Sequence, residues 1–412
     1  MTRLMCYGFL LLALVAAPWM GLYPVLGTKI LCYALFACAF HLLLGYTGLA
    51  SLGHAAFLGV GGYVAGYGIK AWALSPELAL LAGLSVGALM GLVMGYVSIR
   101  RSGIYFTMIT LALAQLVYFL CVQIPQTGGE DGLQGIDRGM LFGFIDLHND
   151  RVMYYTTLTI GVAAFLFIAR VVRSPFGQAL TAIKDNEPRA VSLGYHPDRY
   201  KLLVFTLSAA LTGLAGALKA IGLGFVTLSD VHWMTSGHAL LMTLVGGLGT
   251  LSGPVVGAVV LVTLENKIGE LGALLAGVTG IGWFATLGES VMMIMGIVFV
   301  ICVLAFRRGI MGELDALRRR VRTPNPAPEP QSRPPIPPTR FTITGRRGCP
   351  RACGRRAPPC GTTWSPARGA IRKKPRSASS IARSATASCC ASARPWPPGS
   401  AAPACAPATG CW

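Results

Sequence analysis

The sequence predicts an all-α membrane protein, a polytopic bundle of about 8 to 10 transmembrane segments. Two observations predict this class. Hydrophobic residues make up 53% of the 412 residues and charged ones only 12%, whereas soluble domains carry about 25% charged residues. Apolar stretches of about 20 residues also recur along the chain, which is the length that a helix needs to cross a hydrocarbon core of about 30 Å.

Seven simple spans are predicted, and two further regions, 237–264 and 286–306, are apolar but less simple. The first span has an alternative as a signal peptide, because Arg3 precedes an apolar run that ends in Ala16 and Ala17. We favour a retained helix, since membrane spans follow it directly. The seven spans are 4–20, 25–45, 54–71, 78–98, 104–123, 152–170 and 201–220.

The placement of Lys and Arg predicts which loops face the cytoplasm, because these residues accumulate there. With Arg3 inside, the acidic loop 124–151 lies outside. The segment 171–200, with its flanking Arg170 and Lys201, carries six basic and three acidic residues and lies inside. The basic end 307–322 is also expected inside, so an even number of crossings must follow residue 201.

Three simple spans after residue 201 would break this parity. The stretch 244–261 contains Pro254 and five glycines, which suits a broken or re-entrant element. The alternative is an extra crossing through residues 268–285, despite Glu270. Both possibilities stay open from sequence alone.

A permease-like apolar domain is thus expected over residues 1–306, and the last 90 residues, 323–412, differ sharply from it. They contain 18 Pro and 14 Lys or Arg, with Glu329 as the only acid, and so contribute +13 of the net charge of +19. Such a segment cannot bury enough apolar area to order itself, so it is expected to be disordered. From about residue 331 on, its composition also suits GC-rich DNA translated in the wrong frame.

A short helical hairpin is predicted within the inside segment. Ser174 before Pro175 suits a helix start with a hydroxyl cap, and a break is expected before a second helix that ends at Gly194. A plain connecting loop is the alternative, but it would need neither caps nor an apolar face. The apolar face is expected to dock on lipid or on a partner protein. The residues of this hairpin that we single out are Phe176, Leu180, Ile183, Asp185, Asn186, Glu187, Ala190 and Gly194.

Two predicted spans carry small residues at every fourth position. This spacing lets helix backbones touch in lipid, where no hydrophobic drive brings helices together. Close packing is therefore predicted, against either a partner subunit or the rest of the fold. The residues are Gly83, Gly87, Gly91 and Gly95 in one span and Ala209, Gly213 and Ala217 in the other.

A translocation path is predicted where small residues coincide with broken backbone, because free carbonyls and amides there can bind a zwitterion without a formal charge in the membrane. Spans two to seven hold almost no acids or bases in their interiors. His41 and His54 are interpreted as buried polar residues that bond to backbone, in preference to proton relays. The path candidates are Gly45, Thr47, Gly48, Ser51, Gly53, His54, Gly246, Gly247, Gly249, Thr250 and Gly253.

Residues 182–218, AIKDNEPRAVSLGYHPDRYKLLVFTLSAALTGLAGAL, resemble the cytoplasmic loop and following helix of permease subunits from branched-chain amino acid ABC importers of the LivM type. In that family the loop couples the permease to its ATPases, and Glu187, Ala190 and Gly194 hold the matching positions. The spacing is one residue longer than usual, and Pro188 stands where an Ala is usual. Further segments resemble the same family in the same order: 45–67, 103–116, 127–133 and 246–258.

The resemblance implies an inner-membrane subunit of a bacterial importer for leucine, isoleucine or valine. Its implied partners are a second, LivH-like permease subunit, two cytoplasmic ATPase subunits and a periplasmic substrate-binding protein. It also implies that Thr127, Gly128 and Gly129 lie in an outer loop near the substrate entrance. Urea and short-amide permeases look alike, so they remain an alternative, as does an ion-coupled secondary carrier.

No enzymatic activity is predicted. The phosphate-binding pattern G-x-x-x-x-G-K-[ST] does not occur, so ATP hydrolysis must come from another subunit. A membrane-embedded transferase would need clustered catalytic groups, and the cluster of Glu130, Asp131, Asp137 and His148 is interpreted as a solvated acidic loop. No cofactor, metal or nucleic-acid partner is predicted.

Overall fold

The computed structural model describes residues 13–279 except 20, 22 and 102, together with residues 294, 296, 297, 300, 304 and 309–313; of residues 268–279 it describes the backbone alone. Most of the predicted first span and of region 286–306 lies outside the described residues. So does the predicted tail 323–412, and the basic end 307–322 except residues 309–313.

Helices dominate the described part of the chain, which confirms the predicted class with one addition. Four two-residue strands form two antiparallel pairs, β1 with β4 and β2 with β3. The helices are α1 (Pro24–Thr47), α2 (His54–Trp72), α3 (Pro76–Ser98), α4 (Ile104–Gln123), α5 (Asp150–Arg173), α6 (Pro175–Asp185), α7 (Glu187–Ser192), α8 (Pro197–Leu223), α9 (Trp233–Gly246) and α10 (Gly253–Thr279). The strands are β1 (Leu133–Gln134), β2 (Met140–Leu141), β3 (Ile145–Asp146) and β4 (Phe225–Val226), and 3-10 turns cover Pro125–Thr127, Gly129–Asp131 and Leu228–Asp230.

Five of these helices, α1, α3, α4, α5 and α8, are long and apolar enough to cross a membrane. They differ in how deeply they are buried. In the most apolar part of α1 and α8, 78% and 72% of the residues are buried, against 28% to 39% in α3, α4 and α5. Helices α1 and α8 therefore form the centre of the bundle, while the other three turn exposed leucines such as Leu81, Leu89 and Leu166 outward.

The bundle has two ends, which we name by what they carry. At the hairpin end, helix α6 contacts the end of α1, where the Lys184 ammonium donates to the Gly45 carbonyl at 2.8 Å, and α7 follows α6. At the loop end, the segment 124–149 lies over the end of α8, where the Ile136 amide donates to the Gly224 carbonyl at 3.0 Å.

The two predicted stripes of small residues meet in one contact between α3 and α8. A Cβ atom added at Gly87 would lie 2.7 Å from the Ala209 carbonyl oxygen, and one at Gly213 would lie 2.4 Å from the Gly83 carbonyl oxygen. Backbone atoms cannot move aside as a flexible side chain can. The partner of each stripe is therefore the other stripe of this same chain.

Replacing Gly213 by Ala should destabilise the fold by about 1 to 3 kcal/mol, because the added methyl group overlaps the backbone of α3. Gly161 in α5 is the matched control, since a Cβ there meets no atom within 4 Å. Gly161→Ala should be neutral or slightly stabilising, because Ala is the better helix former by up to about 1 kcal/mol. Thermal unfolding of both purified variants measures the difference; equal midpoints would contradict the packing.

The apolar region 237–264 is broken at Gly247, as one of the two predictions required. Helices α9 and α10 pack antiparallel on either side of the turn; a Cβ at Gly246 would lie 1.9 Å from the Gly253 carbonyl oxygen, and one at Gly257 would lie 1.8 Å from that of Met242. Residues 268–279 continue α10, so they belong to the same helix as the second half of this region. The alternative of an extra crossing through residues 268–285 stays a prediction. Its remainder, 280–285, lies outside the described residues.

Residues 224–232, which we call the inward segment, lead from the loop end into the bundle before α9 begins. Val226 packs beside Gly62 of α2, and Val231 packs beside Gly59, nearer the hairpin end. Helix α9 has only 14 residues, a length of about 21 Å, which is short of the roughly 30 Å of a bilayer core. The inward segment, which is not α-helical, precedes α9 and adds to its length across the bundle.

Candidate functional site

The predicted hairpin is present as α6 and α7, although one of its caps differs. Pro175 opens α6 as predicted, but the Ser174 hydroxyl donates backward to the Val171 carbonyl at 2.6 Å, so the predicted hydroxyl cap is wrong. Asn186 caps α7 instead, accepting the Arg189 amide at 3.0 Å. Gly194, with φ +88°, ends the hairpin. The break at Asn186 therefore both stops one helix and starts the next.

The apolar face of α6 packs on the bundle itself. Leu180 and Ile183 are buried, Leu180 in the main core together with residues of α1, α5 and α8. Phe176 stacks on Tyr200 of α8 with ring centroids 5.6 Å apart. The prediction that this face docks on lipid or a partner is wrong, because the ends of the chain's own helices supply the groove that it needs.

The exposed surface of the hairpin lies instead at the end of α7. Ala190 is 2% exposed and belongs to the interior, whereas Val191 is 54% and Leu193 is 70% exposed. Ser192 between them is exposed as well, as is Asp185 before the break. We call Val191, Ser192 and Leu193 the tip of the hairpin. Exposed aliphatic side chains that lie together make the tip a candidate for a surface that a partner covers.

Two polar contacts hold the hairpin to the central helices. Glu187 accepts a hydrogen bond from the Lys201 ammonium of α8 at 2.6 Å, and the Lys201 side chain is only 8% exposed. Lys184 bonds to Gly45 of α1, and its stem lies 3.5 Å from the position of a Cβ at Gly48. These two contacts connect the hairpin to both α1 and α8.

The first group of path candidates lies at this same end, and much of its bonding capacity is already used. The Gly45 carbonyl accepts Lys184, the Thr47 hydroxyl donates to the Leu43 carbonyl at 2.7 Å, and the Ser51 hydroxyl accepts the Gly53 amide at 3.2 Å. Gly53 also packs closely on Thr110 of α4. The groups expected to be free there are largely satisfied within the chain.

The second group of path candidates forms the turn between α9 and α10, also at the hairpin end. The Gly253 amide donates to the Thr250 carbonyl at 3.2 Å, and the buried Thr250 hydroxyl has no hydrogen-bond partner among the described residues. An apolar cavity of about 230 Å³ places Ser252 of this turn near Arg173, where α5 ends. The turn also contains Gly247 and Gly249, and Gly309 packs against Gly247.

His54 is buried, as interpreted, but its partner is a hydroxyl group. Its Nε2 lies 2.9 Å from the Ser208 hydroxyl, which donates to the Ala39 carbonyl at 2.5 Å. The expected bond to backbone is wrong for His54, because its Nε2 bonds to the side chain of Ser208 in α8 instead. Its Nδ1 has no hydrogen-bond partner among the described residues, and the same holds for the Nδ1 of His41, which is also buried.

The sequence interpretation missed a buried polar cluster near the inward segment. Lys219 of α8 contacts the carboxylate of Asp230, and its ammonium lies 3.3 Å from the Tyr33 hydroxyl of α1. Lys219 is the last but one residue of the predicted span 201–220, so an interpretation limited to charges in the interior of the spans left it out. A lysine within an apolar run was the signal that the sequence offered. Nothing in the sequence indicated that Asp230 turns back into the bundle.

The outer-loop candidates lie over the start of the inward segment. Thr127 closes a 3-10 turn, its hydroxyl donating to the Ile124 carbonyl at 2.6 Å, and Gly128 and Gly129 both have positive φ. Just beyond them, a Cβ at Gly132 would lie 2.3 Å from the Val226 carbonyl oxygen, and β1 pairs with β4. The loop is therefore fixed to the place where the chain turns into the bundle.

The acidic part of this loop is a set of exposed ion pairs. His148 lies 2.9 Å from both Asp146 and Asp137, and its bond to Asp146 chiefly raises the pKa of His148 above its usual value. The His148 backbone amide and ring together lower the pKa of Asp146. These groups are solvated, as interpreted, and the described residues hold no cluster suited to a metal ion.

Comparison with known proteins identifies the family. Residues 26–304 match the family described as the permease component of the branched-chain amino acid transport system. The chain belongs to this family. Its members span membranes as helical bundles, in agreement with the five membrane-capable helices.

The chain spans only part of the length of the three curated relatives that follow, between 55% and 70%. The chain is 30% identical to the high-affinity branched-chain amino acid permease LivM of Salmonella typhimurium over 61% of this chain and 65% of that protein. It is 30% identical to LivM of Escherichia coli over 65% of this chain and 70% of that protein. A probable LivM of Methanocaldococcus jannaschii is 23% identical over 45% of this chain and 55% of that protein. No solved structure matches the chain.

Proposed function

We propose that this chain is a membrane subunit of an ATP-driven importer for leucine, isoleucine and valine in a bacterial inner membrane. It works with a second, LivH-like permease subunit, two cytoplasmic ATPase subunits and a periplasmic substrate-binding protein. Residues 1–306 form the transmembrane domain, and residues 171–200 form its coupling loop. The similarity to two LivM permeases supports the cargo.

The geometry of the hairpin is the observation that carries this proposal. A passive linker would not need a cap at Asn186, a buried face at Leu180 and polar bonds to both central helices. The tip, in contrast, leaves Val191 and Leu193 uncovered. Closure of the ATPases around ATP moves the tip, and the contacts of Lys184 and Glu187 pass this movement to α1 and α8.

The order of the helices is consistent with a cytoplasmic hairpin. Starting from residue 201 inside, α8, the inward segment with α9, α10 and the predicted span 286–306 make four crossings. An even number returns residue 307 to the cytoplasm, as its basic neighbours require. The packing of Gly309 on Gly247, at the hairpin end, supports this orientation.

Reconstitution tests the cargo directly. The chain is purified with the subunits encoded by its neighbouring genes and placed in vesicles loaded with ATP. Uptake of radiolabelled leucine should require both ATP and the binding protein, and labelled urea should not be taken up. Urea uptake would favour the alternative cargo. Leucine uptake by this chain alone under an ion gradient would favour a secondary carrier.

A further inference from the structure

The ion pair of Lys219 and Asp230 lies where three elements meet. Lys219 belongs to α8, Asp230 to the inward segment and the neighbouring Tyr33 to α1. The side chains of the pair are only 8% and 7% exposed. The Lys219 ammonium also lies 5.3 Å from the centre of the Tyr33 ring, within the range of a cation–π contact. Two full charges are thus enclosed within an apolar bundle.

Stability alone is a weak reason for such a pair. Removing two charges from water costs much of what their attraction returns, and apolar replacements of buried pairs are often neutral or stabilising. Ionisable side chains inside membrane proteins usually mark the route of a ligand or an ion. The pair therefore needs an explanation beyond packing.

The two charged groups are attached to the backbone by side chains of different flexibility. Asp230 also accepts the Thr227 amide at 3.3 Å, as part of a capping box that fixes its 3-10 turn. The Lys219 ammonium, by contrast, ends a flexible four-carbon stem. When another anion approaches, the ammonium can turn toward it while the carboxylate keeps its place.

Further groups beside the pair suit a small polar ligand with an apolar tail. Tyr63 of α2 is 4% exposed, its hydroxyl has no hydrogen-bond partner among the described residues, and it packs in one cluster with Val231, the residue after Asp230. Helix α9 begins at Trp233, and its N-terminus favours negative charge. Next to them lies an apolar cluster that includes Ala220, Val226 and Val231.

We propose that Lys219 and Asp230 form a transient binding site for the zwitterionic head of an α-amino acid. The ligand ammonium takes the place of Lys219 at the Asp230 carboxylate, and the ligand carboxylate binds the freed Lys219 ammonium and the Tyr63 hydroxyl. Every charge keeps an opposite partner, and the net charge of the site stays at zero throughout. The aliphatic side chain of the ligand lies on the apolar cluster. This assignment rests on the proposed function and gives it a site.

The test uses the complete reconstituted complex and two double variants. Lys219→Gln with Asp230→Asn removes both charges and leaves no unpaired ion. Lys219→Asp with Asp230→Lys keeps an ion pair but reverses it. Both should lower ATP-dependent leucine uptake by about tenfold or more, since each loses charge-assisted bonds to the ligand in the required order. Lys29→Gln with Glu265→Gln is the matched control: it removes a half-exposed pair whose atoms are 3.5 Å apart, and uptake should stay within twofold.

A structural role for the pair predicts a different result. The proposal is overturned if either double variant folds and takes up leucine within twofold of the unmodified complex. Should neither fold, Tyr63→Phe decides, because it removes only a hydroxyl without a partner; the site predicts uptake lowered about threefold or more, and unchanged uptake overturns it. If the unmodified complex takes up no leucine, the proposed function itself fails, which separates the two outcomes.

Discussion

Replacing Val191 and Leu193 together by glutamate should lower ATP-dependent uptake by at least about tenfold, with the chain still folded in the membrane. Both side chains are exposed at the tip of the hairpin, so the change leaves the fold's own contacts intact. In the importer that we propose, it places two carboxylates in the interface between the tip and the ATPase, where they would lose water without gaining a partner. Uptake into vesicles and thermal unfolding of the purified chain measure the two effects separately.

Ile104→Glu is the matched control for this variant. Ile104 is 73% exposed at the start of α4, at the same end of the bundle but outside the hairpin and outside the candidate path. It should retain most of the uptake. Loss of uptake in the control as well, or normal uptake in the tip variant, would contradict a docking role for the tip.

Glu187→Lys should also lower uptake by about tenfold or more, for a different reason. The new ammonium would face Lys201, which is 8% exposed and would lose its partner 2.6 Å away. Helix α7 would then lose its ionic contact with α8, and a movement of the tip would no longer be passed to α8 through this pair. ATP hydrolysis that continues without leucine uptake is the expected signature.

The double variant Glu187→Lys with Lys201→Glu separates the ion pair from a direct role of Glu187. It restores the contact with the charges exchanged, so at least half of the uptake should return. If the exchange is as inactive as the single change, then Glu187 itself contacts the ATPase, and the account of α7 as a part fixed to α8 is wrong.

Much of the architecture was predictable because it follows from local patterns. Runs of about 20 apolar residues predict helices such as α1 and α3 through the thickness of the bilayer. A Pro at the first helical position and a Gly beyond the last predict the limits of the hairpin. The glycines of α3 predict a close helix contact, and the structure adds only that α8 is the partner.

The site residues were less predictable, because their roles depend on contacts between distant segments. The apolar face around Leu180 looks the same in sequence whether it meets lipid, a partner or the chain's own core. Ala190 matches a coupling position in the family pattern yet is buried, while the neighbouring Leu193 carries the exposed surface. Asp230 follows a predicted span, and no sequence pattern indicates that the inward segment places it against Lys219.

A cross-link from the tip tests the central claim that a separate ATPase subunit binds the hairpin. Ala190 is unsuitable because it is buried, so a photo-reactive benzoylphenylalanine replaces Leu193, and Phe144, which is exposed at the loop end, serves as the control position. On illumination of the assembled complex, the photo-reactive residue at position 193 should cross-link to an ATPase subunit. The same residue at position 144 should cross-link to none. Absence of that adduct, or an adduct between the tip and the binding protein, would contradict the account.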